Sequence, residues 1–167
     1  MAAGEEEVRI RRVVACFAPG RVARPELVAA LAREMQAEFL GLFIEDIELL
    51  RFASLPFARE IGFPSAELRA FDLAALERQL RAQASALELA LAAILGPAAA
   101  GWTFRVARAS PVNAVEAALA EGHAPALLIP PGGNVRAARR QVKRPELTPA
   151  AIKEWLAAGT PVVILPE

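Results

Sequence analysis

Leu127-Leu128-Ile129-Pro130-Pro131-Gly132-Gly133-Asn134 reads as a short buried strand running straight into a glycine-rich loop. In parallel α/β proteins such a loop stands at the carboxyl edge of the sheet, where ligands bind. Its two glycines can let backbone N–H groups approach a phosphate. Four other apolar runs have the same strand character. They are Val13–Phe17, closed by Pro19-Gly20; Phe39–Ile44, ending at Glu45-Asp46; Trp102–Ala107; and Pro161–Leu165.

Helical periodicity fills the intervals. A helix opens near Pro25, where proline suits the first turn, and carries Leu27, Val28, Leu31 and Met35 on one stripe. The longest runs from Asp72 to Leu95, with Leu73, Leu76, Leu80, Ala84, Leu87, Leu91 and Ile94 stepping by three or four and Gly96-Pro97 stopping it. Glu77 and Arg81 form a supporting pair one turn apart on its outer face. Ser110-Pro111 and Thr148-Pro149 are matching cap-and-proline signatures for two further helices, ended by Gly122 and Gly159. Each such cap contributes about 1 kcal/mol.

Strand–helix alternation with nearly continuous apolar strands predicts a three-layer α/β/α, Rossmann-like fold: a parallel sheet with helices on both faces. The acidic start, residues 1–7, reads as a loose tail, and 8–167 as one domain. Residues 46–72 are the irregular part, apolar but interrupted by Pro56, Gly62 and Pro64, with a short helix at Ile47–Ala53. A connection this long covers something or carries a role, as a lid over the sheet edge or a contact between copies.

Composition narrows the function. The hydrophobic fraction of 55% supports a core, and 19 basic against 19 acidic residues leave no net field toward nucleic acid or anionic membrane. The one cysteine, Cys16, falls inside the first strand, so no intramolecular disulfide forms. No basic leader or membrane-length apolar run is present, which predicts a cytoplasmic protein. The only histidine, His123, reads as a loop residue at the entrance to the fourth strand. No metal-ligand cluster and no hydrolase, zinc or Cys-x-x-Cys motif occurs.

This layout resembles the universal stress protein family over residues 8–166. The resemblance rests on element order and spacing, on Gly41-Leu42-Phe43-Ile44-Glu45-Asp46 and on Thr160-Pro161-Val162-Val163-Ile164-Leu165. It implies five parallel strands in the order 3-2-1-4-5, a fold like that of the adenine nucleotide alpha hydrolases. It also implies a homodimer, with the last strand, Val162, Val163, Ile164 and Leu165, at the sheet edge against its twofold mate.

Many members of that family bind ATP through an aspartate after strand one and a Gly-x-x-Gly loop after strand four, followed nine residues later by Gly-Ser or Gly-Thr. Here Phe17 or Ala18 stands at the aspartate. A motif started at Gly132 meets Val135 and then Pro145-Glu146; one started at Gly133 meets Arg136 and then Glu146-Leu147. Losing two backbone donors to phosphate removes roughly 3–6 kcal/mol, two to four decades of affinity. The resemblance therefore points to the family's branch without ATP: no cofactor, ATP or another nucleotide disfavoured, and a non-catalytic, stress-related regulatory or interaction module, with a protein partner open.

The alternative is a sensor for a small anion or adenine nucleotide. In a 3-2-1-4-5 sheet the crevice between strands one and four would bring Gly20, Arg21 and Arg24 opposite Gly132, Gly133, Asn134 and Arg136. The basic run Arg136, Arg139, Arg140, Lys143 and Arg144 reads either as a solvated loop or as an anion clamp. A nucleic-acid patch is disfavoured, because no aromatic residues are interleaved.

Overall fold

The computed structural model describes residues 8–21, 23–53, 59–61, 68–70, 72–96, 101–122 and 125–166. Strand β1 is Arg12–Phe17, β2 Glu38–Asp46, β3 Arg59–Ile61, β4 Leu68–Ala70, β5 Trp102–Ala109, β6 Ala126–Ile129, β7 Arg140–Lys143 and β8 Val162–Leu165. Helix α1 is Pro25–Met35, α2 Ile47–Ala53, α3 Leu73–Leu95, α4 Pro111–Glu121 and α5 Pro149–Ala158. Six strands form one sheet in the order β5-β2-β1-β6-β8-β7, and β3 and β4 form a separate antiparallel pair. The acidic tail and His123 lie outside the described residues, as does most of the segment between α2 and α3.

The sheet separates two cores, as period-two strands require. Val13, Ala15, Phe17, Phe39, Phe43, Leu127 and Ile129 pack with α1 and α3. Val14, Cys16, Leu40, Leu42, Ile44, Leu128 and Ile164 pack with α4 and α5. Gly41 is the one residue of β2 without a side chain, and the space above it is tight. A Cβ there would stand 3.1 Å from both Leu91 and Phe104, so its absence lets α3 settle on the sheet. The cap signatures hold: Ser110 Oγ accepts from Asn113 N–H (3.3 Å) and Thr148 Oγ1 from Ala151 N–H (3.2 Å). Asp72 caps α3 by accepting from Ala75 N–H at 3.0 Å.

The order β5-β2-β1-β6-β8 is the expected 3-2-1-4-5, but two features differ from an all-parallel five-stranded sheet. Part of the basic run is a strand, not a loop. In β7 only Val142 is buried, while Arg140, Gln141 and Lys143 are exposed. A single apolar residue among arginines gave too weak an alternation to read as a strand. Second, β8 runs antiparallel to β6 and parallel to β7. The physical reason is the crossover rule: a helix links strands that run the same way, and α5 now connects β7 to β8. Val162–Leu165 is consequently an inner strand, and the sheet edge expected there belongs to β7.

Candidate functional site

The carboxyl ends of β1 and β6 open a crevice of about 340 Å³, walled by Phe17, Arg24, Leu27, Ile129, Gly132, Gly133 and Asn134. Two similar turns frame it. Ala18-Pro19-Gly20-Arg21 and Pro130-Pro131-Gly132-Gly133 each place proline second and glycine third, with φ of 74° at Gly20 and 68° at Gly132. This is the type II turn signature, in which the third residue needs positive φ. Each turn closes on itself: Arg21 N–H donates to Ala18 O (3.3 Å) and Gly133 N–H to Pro130 O (2.9 Å). The Gly133 N–H that could have met a phosphate is thus already committed. A Cβ on Gly133 would stand 2.8 Å from Pro130 O and 3.0 Å from Gly159 O, so this glycine serves close backbone approach.

Of the residues the sequence assigned to a ligand, Arg24, Gly132, Gly133 and Asn134 line the crevice. Gly20 and Arg21 stand in its frame and are not among the lining residues, and neither is Arg136. Asn134 Oδ1 accepts from Arg136 N–H at 2.9 Å, and Asn134 O accepts from Ala137 N–H at 3.0 Å, which starts the chain out of the crevice. The register then carries it across the sheet. Arg140 is level with Val162, which pairs with Leu128 near the crevice; Lys143 is level with Leu165, beyond Ala126 at the far edge. At about 3.3 Å per residue, β7 descends about 10 Å. Arg144, Pro145, Glu146 and Thr148 follow it there.

Helix α5 therefore begins at the edge opposite the crevice and ends beside it, with Gly159 O against Gly133. A helix C-terminus carries roughly half a negative charge. An all-parallel layout would instead have aimed a positive N-terminus at this crevice. Helix α1 does start here, but its N-cap is Arg24, which offers no accepting side chain, and Glu26 already occupies the first turn. Cys16 lies on the crevice floor, and burial pushes its thiol up to about 12, so it stays protonated at neutral pH.

Two polar arrangements escaped the sequence reading. Arg12, in β1 and 7% exposed, donates from Nη1 to Ala118 O at 2.7 Å, capping the carboxyl end of α4. Glu45, 6% exposed, accepts from Arg108 Nε at 3.1 Å, and Arg108 also lies 3.6 Å from Glu77. These three residues stand at one end of a cleft of about 520 Å³ between α3 and β5. Neither arrangement has a local signature, because the partners lie more than 30 residues apart in the chain.

A solved structure of hypothetical protein MJ0577, described as a test case for assigning biochemical function from structure, superposes with a TM-score of 0.50. The superposition covers 96% of this chain and 98% of that one at 10% identity. The chain shares the fold of that structure, an α/β sheet with helices on both faces. A universal stress family protein from Burkholderia pseudomallei aligns at 13% identity over 92% of this chain and 96% of its own, with a TM-score of 0.43. UspA from Lactobacillus plantarum aligns at 13% identity over 94% and 98%, with a TM-score of 0.44. No protein-family model and no curated protein sequence matches the chain. In this chain Phe17 closes β1 and the loop after β6 leads into an additional strand, β7. Among the described residues, no helix is long and apolar enough to cross a membrane.

Proposed function

We propose that this chain is a universal-stress-protein-like, non-catalytic regulatory or interaction module, formed by one domain over residues 8–167, whose crevice does not hold ATP. One observation carries the reading: β7 takes the chain after Asn134 to the opposite edge of the sheet and reverses α5. In the resemblance, residues 145–147 would close on a nucleotide's phosphates. Here they are about 10 Å or more from the crevice mouth. The carbonyl end of α5 lies against the loop at Gly133, which disfavours an anion on that side. Apolar side chains Phe17, Leu27 and Ile129 wall the remaining space. The reading includes a homodimer and a cytoplasmic role in stress regulation.

Arg24 on the crevice wall favours a small-anion or nucleotide sensor as the second reading. Isothermal titration of the nucleotide-stripped protein with ATP, ADP and AMP separates the two. The module reading expects no heat up to millimolar nucleotide. Micromolar binding, abolished by Arg24→Ala, would overturn it in favour of the sensor.

A further inference from the structure

We infer that the homodimer forms through β5 and the flank of α3, at the edge of the sheet opposite β7. This deepens the homodimer part of the proposed reading and is independent of what the crevice binds. The family-like edge is closed, since β8 is paired on both sides and β7 presents Arg140 and Lys143 to solvent. Charged side chains on a short edge strand oppose further pairing. The other edge has the reverse character. β5 spans Trp102–Ala109, and no other described strand pairs with its outer side. Val106 is 45% exposed there, and Leu89 on α3 is 72% exposed.

A twofold axis perpendicular to the sheet would pair β5 with its mate in antiparallel fashion, Val106 against Val106. Arg105 then faces Ala107 and Arg108 faces Phe104, so no like charges meet. α3 packs over β2 and β5, where Leu91 and Phe104 both close on Gly41. With strands about 4.8 Å apart, a helix seated there stands about 5 Å from the axis. The two copies of α3 would lie about 10 Å apart, the distance at which helices pack. Ser85 shares the cleft with Val106, so it comes near the axis. Reading α3 against its antiparallel copy then sets Arg81 opposite Glu88 and Glu88 opposite Arg81. All three residues are exposed on one flank. This flank is complementary to itself, as an isologous interface requires. Leu89 would lie along the aliphatic stem of the facing Arg81.

Sedimentation equilibrium over a concentration series tests this on the full chain. The wild type is expected to dimerise. Val106→Lys and Arg81→Glu are each expected to raise the dimer dissociation constant about tenfold or more, the latter by turning two symmetry-related attractions into repulsions. Combining Arg81→Glu with Glu88→Arg is expected to restore it, which a purely structural defect would not do. Far-ultraviolet circular dichroism confirms that each variant is folded. A wild type that stays monomeric overturns the homodimer together with its interface. A dimer unaffected by both single variants, or a swap that fails to restore dimerisation, overturns this interface and leaves the homodimer standing.

Discussion

Replacing Gly122 with alanine tests how much of the fold depends on the buried guanidinium of Arg12. Gly122 has φ −107° and ψ 170°, a backbone conformation open to alanine, so strain is not the issue. The obstacle is space, because a Cβ at this position would overlap Nη1 and Cζ of Arg12. Displacing the guanidinium breaks its 2.7 Å bond to Ala118 O. A hydrogen bond to a charged group contributes about 1.5–3 kcal/mol. The attraction between a cation and a helix C-terminus adds about 0.3–1 kcal/mol. Against this, alanine restricts the unfolded chain by about 0.4–1 kcal/mol. The net expectation is a loss of about 2 kcal/mol, or roughly 4–8 °C in Tm for a domain of this size. Urea unfolding followed by circular dichroism measures it, in wild-type and Arg12→Ala backgrounds. With Arg12 removed, Gly122→Ala should be neutral or slightly stabilising. An equal loss in both backgrounds would refute the link between the two residues.

Three further outcomes follow from the same geometry. Gly133→Ala must push against the backbone oxygens of Pro130 and Gly159 and should destabilise by about 1–3 kcal/mol; a variant as stable as wild type would mean the turn is not held there. Cys16, with its thiol pushed up to about 12, should resist thiol reagents at neutral pH until the protein unfolds, and fast labelling of the native state would contradict its burial. The bidentate bonds from Arg105, at 3.0 and 2.7 Å, hold the Glu121 carboxyl below its usual range, with attraction from Arg12 adding to the effect. The stability this confers is present above about pH 4.5 and lost as acid protonates the folded carboxylate, so Arg105→Ala should flatten that part of an acid-unfolding profile.

The five strands of the expected sheet were legible because each is an apolar run bounded by turn residues, and the helix caps because Ser-Pro and Thr-Pro announce them locally. Strand direction was not legible at the end of the chain. It depended on whether the residues between Asn134 and Thr148 stay at one edge of the sheet or cross it, and the only clue was Val142 among polar neighbours. The same strand decided the site. Arg24, Gly132 and Gly133, singled out in the sequence, line the crevice, but the use of Gly133 N–H within its own turn and the reversal of α5 are facts of geometry. Gly122 shows the limit in another form. It was readable as the end of α4, while its main physical duty, making room for Arg12 from a distant strand, leaves no local trace.

The reversed last strand also settles where attachments to the domain would hang. Arg12 is level with Ala126, and Ala126 with Ile164, so the chain enters β1 and leaves β8 at the same edge of the sheet, two strand spacings apart, or about 10 Å. The crevice opens at the other edge. A reporter domain fused beyond Leu165, or ahead of Val8, would trail away from the crevice and leave its mouth clear. The short gap also means that a few glycines could join the two ends, and the chain could be reopened in the loop after Asn134, permuting the domain without disturbing its sheet.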